Sequence, residues 1–421
     1  MKNKNLEVYH NLKHNIRMNM INGLAWVVGF NMVMPFIGIY AIKLGANDFE
    51  VSLLNSLPAL MVVLGVIPLT ILISKLKDVH KFSYIILFFA RSFYFLIALV
   101  PFLHKEIQPV ILVLLVGIMN LPSMAVGMCW QSFMSDLIPP EYRSKVFADR
   151  NFWTTVLGTL VVLVTGWLLD IIVFPLSYQL IFSVAFIFGI IETYYYSKFY
   201  IVKRTHEVKE KINFTDAFKK MLKSKKFIHF NITSFLYFFV WMMAWPIFTV
   251  YKVNTLNANN AWMSIFTIVS SIGSIIAFYR WADLSNKKGN GFSVALSALL
   301  IGFIPIMWAT AKNLYIGAVF DFLGGIAVGG YNMLLLNWLL ELLPDSDEKM
   351  SYLGLFTLIT QIAAFIAPMF GMWLYVKMSY VPFMILTGIL RILVSILYFI
   401  VAKYENDDTL KSEIKVKEVI D

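Results

Sequence analysis

The 421 residues are 59% hydrophobic, 16% aromatic and only 14% charged, and the mean hydropathy is +0.73. A water-soluble domain carries about a quarter charged residues, so this composition excludes an ordinary soluble domain and points to a chain solvated by lipid. The formal charge of +10 is accounted for below by topology and attraction to anionic headgroups, and is no evidence for nucleic-acid binding.

Met1 to Arg17 form a polar tract. The apolar stretch after it is too long for a signal-peptide core and has no small-residue cleavage site, so it is expected to stay as the first helix. A bilayer core of roughly 30 Å needs about 20 apolar residues per helix. On that rule the chain is expected to cross the membrane at 18–42, 51–74, 82–103, 108–134, 148–173, 177–201, 227–251, 261–281, 291–311, 313–341, 352–376 and 379–402. Backbone polar groups in lipid must be satisfied within the segment, so these runs are helices. The short alternating strands of an outer-membrane barrel are absent. Runs 4 and 5 are parted by the polar connector Ser135 to Arg150, and runs 9 and 10 only by Thr310 to Asn313.

Charge gives an independent reading of the same count. With both termini cytoplasmic, the opposite face holds only Lys43, Lys105, Lys252, Lys312 and Lys377 of the 35 Lys and Arg residues. Arg91 and Arg391 lie inside spans. Positive residues concentrate on the cytoplasmic side, so the ledger supports twelve helices in this orientation, in a bacterial-type inner or plasma membrane.

The chain also repeats itself. Asp136-Leu137-Ile138-Pro139 recurs as Glu341-Leu342-Leu343-Pro344, a shift of 205; at that shift Asp78 falls on Asp283 and Gly166 on Gly371. This divides the sequence into a six-helix half at 1–201, a basic cytoplasmic linker at 202–226, and a second six-helix half at 227–421.

In these features the sequence is similar to the major facilitator superfamily. The loops Ser74-Lys75-Leu76-Lys77-Asp78-Val79-His80-Lys81 and Arg280-Trp281-Ala282-Asp283-Leu284-Ser285-Asn286-Lys287-Lys288-Gly289 resemble that family's signature after helices 2 and 8, without its leading glycine. Asp136, Pro139 and Arg143 look like its Asp-x-x-Pro-x-x-x-Arg pattern after helix 4. The resemblance implies an all-α membrane protein with two pseudo-twofold-related six-helix bundles. It also implies a secondary transporter working by alternating access. Asp78, Asp283, Asp136, Arg143 and Glu341 are the expected cytoplasmic gate. A carboxylate at a helix end can latch onto a neighbouring helix N-terminus, where the backbone dipole is positive.

Ionisable groups inside spans are functional candidates by default. Arg91 and Glu192 lie at similar depth in helices 3 and 6, which are neighbours in the resembled fold, and are expected to pair structurally. Helix 10 lines the cavity of that fold, which makes Asp321 the candidate for proton coupling or for holding a cationic substrate. A fixed pair with Arg391 is the alternative. The uncharged cavity candidates are Asn22, Trp26, Asn31, Asn120, Gln131, Asn151, Thr154 and Thr155 in the first half. In the second half they are Asn231, Tyr237, Trp241, Trp245, Tyr331, Asn332 and Gln361.

Amides and aromatics suggest an amphipathic or weakly charged solute, whereas a phosphate or di-acid asks for clustered Arg or Lys. Export, with protons as a possible coupling partner, is set slightly ahead of nutrient uptake on the same fold. The family's antiporters, however, typically show a Gly-Pro motif in helix 5 and an arginine in helix 4, and both are missing here. A non-transporting sensor or lipid-handling protein is the alternative of another class. The expected partners are a small-molecule substrate and membrane lipids, with the chain as a monomer and no nucleic acid. Cys129 is expected to be a packed residue, and the six histidines show no catalytic or metal-ligand spacing, so no enzyme activity, cofactor or metal is expected. No Gly-x-x-x-x-Gly-Lys-Ser/Thr loop is present.

Overall fold

The computed structural model describes residues 11–76, 78–201, 224–342 and 349–420. Their regular structure is all helical, with no strand among them. Among the described residues, twelve helices are long and apolar enough to span a bilayer: α1 Leu12–Lys43, α2 Asp48–Ile73, α3 Val79–Phe102, α4 Lys105–Trp130, α5 Lys145–Ile171, α6 Leu176–Ser197, α7 Lys225–Thr255, α8 Asn260–Lys288, α9 Asn290–Trp308, α10 Leu314–Leu342, α11 Tyr352–Met378 and α12 Tyr380–Lys403.

The breaks between them are made by local chemistry. Gly45, at φ +92°, turns the chain after α1. Asn47 and Glu50 then form a reciprocal capping box that starts α2. The short gap between α9 and α10 holds because the Asn313 side chain accepts the Ile316 N–H at 2.9 Å and starts a new helix. Gly289, at φ +84°, separates α8 from α9.

Prolines act unevenly. Pro58, Pro68, Pro122 and Pro368 sit within continuous helix, whereas Pro35 lies in a 3₁₀ turn inside α1. At Pro246 the helix stops at Met243, restarts at Trp245, and ends in a π-helical turn at Tyr251–Thr255.

The chain divides into two compact units. Unit 1 holds Met1–Lys211 with Asn257–Ser264, and unit 2 holds Ile212–Leu256 with Ile265–Asp421. In unit 1, α1 packs on α5 and α6, and α3 on α4 and α6. In unit 2, α7 packs on α11 and α12, and α9 on α10 and α12. The first helix of each six thus meets the fifth and sixth, and the third meets the fourth and sixth. One packing scheme is used twice.

Cys129 is fully buried in the unit 1 core with Leu87, Leu137 and Tyr196. The unit 2 core is aromatic, built on Phe230, Tyr237, Trp241, Tyr331, Trp338 and Tyr398. There α8 and α10 approach backbone to backbone. A Cβ at Gly325 would collide with the Ser270 main chain, and one at Gly273 with the Phe322 carbonyl. Ser274 Oγ donates to the Gly325 carbonyl at 2.7 Å across the same seam.

Candidate functional site

Two charges the sequence reading set in a connector or beyond a span end belong to the helices. They are Arg150 in α5 and Lys252 in α7. The reason is length: α5 begins near Lys145 and α7 runs to Thr255, each past the apolar run that marks it in the sequence.

Arg91 stands on the buried face of α3, beside Ala90 and Tyr94. Its Nε donates to Glu192 Oε2 at 2.6 Å and its Nη2 to Glu192 Oε1 at 2.9 Å, a bidentate pair with side chains only 10% and 6% exposed. This planar fork is the strongest form an Arg–carboxylate contact takes. Gly189, one turn before Glu192 in α6, makes it sterically possible, because a Cβ there would lie 2.6 Å from Arg91 Cβ. From α1, Asn22 Nδ2 donates to the Glu192 carbonyl at 3.1 Å.

Arg150 enters the same region from α5. Its Nε donates to the Asn19 carbonyl at 3.3 Å, and its guanidinium carbon lies 5.3 Å from the Trp130 ring centroid. It passes over Gly23, where a Cβ would strike the guanidinium. Two glycines on the facing helices therefore make room for two arginines. Between them is a cavity of about 240 Å³ bounded by α1, α3, α4, α5 and α6, with Trp26, Trp130 and Tyr196 as aromatic walls and Ser123 and Gly127 on α4. A Cβ at Gly127 would meet nothing within 4 Å. Trp130 Nε1 and both polar side-chain atoms of Asn19 are buried without a hydrogen-bond partner among the described residues.

Unit 2 pairs its charges differently from the alternative set out for Asp321. The Asp321 Oδ2 accepts from Lys252 Nζ at 2.5 Å, and its Oδ1 accepts from the Trp308 indole at 3.1 Å. The Lys252 ammonium also lies 4.3 Å from the Phe266 ring and 4.8 Å from that of Trp308.

Asp321 does not pair with Arg391. α10 and α12 run in the same direction; Asp321 follows Leu314 by seven residues and Arg391 follows Tyr380 by eleven, so Arg391 lies about 6 Å deeper at 1.5 Å per residue. Arg391 is 1% exposed and donates to three main-chain carbonyls: Trp241 at 2.8 Å, and Val240 and Ile301 at 3.5 Å. The first and second of these belong to the last turn before the α7 break. There the Ala244 N–H turns to Met242 instead of Val240, and Pro246 has no N–H to offer. A cation at a helix C-terminus is favoured by the backbone dipole, so Arg391 caps a broken helix.

The other expected residues are scattered. Asn31 and Asn120 donate to the carbonyls one turn back, Val27 and Val116, and Thr154 Oγ1 donates to Arg150 and Asn151. Tyr237 donates to the Ala298 carbonyl, and Tyr331 shares a hydrogen bond with Tyr398, both within the aromatic core. Asn231 is buried, with its Nδ2 on the Phe227 carbonyl and its Oδ1 unpartnered. Trp241 is buried, Gln361 half-buried, and Asn151, Trp245 and Asn332 exposed.

Of the gate residues, Asp78 caps its own helix by accepting the Lys81 N–H, and Asp283 is exposed on α8. Glu341 accepts from Asn290 Nδ2 at 2.7 Å, and Asn290 Oδ1 accepts from Ser285. The side chains of Gln131, Asp136 and Arg143, and linker residues 202–223, lie outside the described residues. The capping of another helix by a carboxylate occurs at Asp170, which was not among the candidates. Its oxygens accept from the Asn260 N–H and side-chain amide and from the Ala261 N–H at 2.8–3.1 Å.

The sequence pattern of the Major Facilitator Superfamily matches residues 20–320 and 230–420, and the chain belongs to that family. No curated protein sequence matches it. Among solved structures, it is similar to the nucleoside transporter NupG at 12% identity and a TM-score of 0.72, over 92% of this chain and 99% of that one. A mutant of NupG gives 10% identity and a TM-score of 0.72 over 93% and 100%. A bacterial homolog of the human lysosomal transporter Spinster, crystallised inward-facing and unoccupied, gives 13% identity and a TM-score of 0.66 over 93% and 97%. These likenesses carry the fold.

Proposed function

We propose that this member of the major facilitator superfamily is a secondary transporter that carries a small solute by alternating access, and that the solute rests in the cavity among α1, α3, α4, α5 and α6. The supporting observation is Arg150, a guanidinium within a span whose terminal nitrogens have no hydrogen-bond partner among the described residues, set beside aromatic walls. Charges at membrane depth are costly and mark the path of a solute or ion. The lack of a nucleotide-binding loop supports drive by a gradient. The cavity of about 240 Å³ suits a metabolite smaller than the drug-sized ligands that fill roughly 300–1,000 Å³.

The solute named for NupG is a nucleoside, and aromatic walls accept a flat ring of that kind. Asp321, held by Lys252 and Trp308, serves in this reading to fix α10 to α7. The distribution of Lys and Arg supports cytoplasmic termini.

The test is counterflow in proteoliposomes, with nucleosides, amines, carboxylates and sugars each tried as the preloaded and labelled solute. Transient accumulation with at least one class is expected. Saturable binding without counterflow for every class would make the protein a sensor that kept the fold.

A further inference from the structure

The arrangement of donors narrows the solute further, on the premise that the unit 1 cavity is the binding site. We infer that the cavity selects a flat monoanion, and that Arg150, not Arg91, holds its charge.

The two arginines differ in what they have left to give. Arg91 is bound on two nitrogens by the Glu192 carboxylate, and its third terminal contact goes to the Tyr94 hydroxyl at 3.5 Å. Its charge is neutralised and its fork is occupied. Arg150 makes one long bond through Nε and no ion pair among the described residues, which leaves both terminal nitrogens free. A guanidinium fork matches a carboxylate in plane and spacing.

The Trp130 ring lies beside Arg150, and its indole N–H is buried with no acceptor. A buried donor left unpaired is costly, so a solute whose acceptor oxygen reaches the indole N–H on a small shift of the ring relieves that cost. Fork and indole are two neighbouring donors among the residues that line the cavity, and neither has a carboxylate partner among the described residues.

The walls set shape and charge number. Trp26, Trp130 and Tyr196 line the cavity, and the missing side chain at Gly127 leaves open space between them. Flat rings fill such space at little entropic cost. A second negative charge has no partner here, because the remaining arginine is held by Glu192. A cation meets Arg150 and finds both Glu192 oxygens engaged. The amphipathic, weakly charged solute expected from the amides and aromatics is thus refined to one carrying a single negative charge.

The test uses the full chain in nanodiscs, with benzoate, its neutral isostere benzamide and the cation benzylamine as probes by isothermal titration at neutral pH. Benzoate is expected to bind at least tenfold more tightly than either of the others. Arg150→Gln is expected to weaken benzoate roughly ten- to hundredfold, the usual value of hydrogen bonds to a charged group, and to leave benzamide unchanged. Trp130→Phe keeps an aromatic wall, though a smaller one, loses the N–H, and is expected to weaken benzoate several-fold.

A Cβ at Gly127 meets nothing within 4 Å, so Gly127→Leu is expected to fold normally, to occupy the open space and to bind none of the three; it carries the test if Arg150→Gln does not fold. Equal affinity for benzoate and benzamide, undiminished benzoate binding by Arg150→Gln or Gly127→Leu, or no benzoate binding at all would overturn the inference. Benzoate binding with no counterflow leaves the site standing and removes the carrier. Counterflow of another class without benzoate binding does the reverse.

Discussion

Breaking the Arg91–Glu192 pair one partner at a time should cost far more than removing both. Two charge-assisted bonds at 2.6 and 2.9 Å join side chains that are only 10% and 6% exposed. Glu192→Gln leaves a guanidinium among apolar helices with no counter-charge, a change that typically costs about 3–5 kcal/mol. At about 1.4 kcal/mol per tenfold, that lowers the folded-to-unfolded ratio by roughly two to three and a half orders of magnitude.

Arg91→Met should cost a similar amount by stranding the carboxylate. The double variant Arg91→Met/Glu192→Met leaves neither charge stranded, and replacements of this kind are neutral or stabilising by about 1–4 kcal/mol. The assay is denaturant-titrated unfolding in micelles, read as a double-mutant cycle with a coupling of at least about 2 kcal/mol expected. Single losses that simply add in the double variant would refute the reasoning, because the pair would then be two independent polar groups.

Asp321→Asn should weaken the Lys252 contact by about 2 kcal/mol, yet leave flux per folded molecule and its pH profile unchanged. A flattened pH profile at unchanged stability would instead make Asp321 a proton carrier. Arg391→Met should leave the Val240 and Trp241 carbonyls unpaired at about 1–3 kcal/mol and accelerate amide exchange around the α7 break. Exchange there identical to wild type would show that the break needs no cap. Gly325→Ala puts a methyl group into the Ser270 main chain. It should destabilise unit 2 by about 1–3 kcal/mol, and an unchanged melting temperature would argue against the close α8–α10 seam.

What could be read in advance depended on which physics sets each feature. The twelve spans are legible because lipid imposes a length and an apolar content on each helix, and even the gap before α10 was marked by Asn313. Arg91 and Glu192 could be matched by depth because both sit mid-helix, where only a partner makes a charge tolerable. Arg150 and Lys252 were assigned outward because hydropathy treats a charge near a run's edge as the end of the span. A long side chain on a helix that continues can point inward as well as out.

The partners of Arg391 were illegible for another reason. They are main-chain carbonyls, and a search for side-chain partners cannot find them. The available signal was Pro246, whose missing N–H marks where α7 loses its ladder. Tyr237 and Tyr331 were named as cavity candidates, but residue type and helix number alone do not say which face meets the core, and both proved fully buried there.

The most direct test is counterflow of labelled benzenesulfonate, an aromatic monoanion that stays charged and does not leak through lipid, in liposomes bearing wild-type protein or Gly127→Leu. Transient accumulation against preloaded unlabelled anion in wild type, with none in the variant, is the expected result. Traces indistinguishable among wild type, variant and protein-free liposomes would contradict a carrier that holds a flat anion between Arg150 and Trp130.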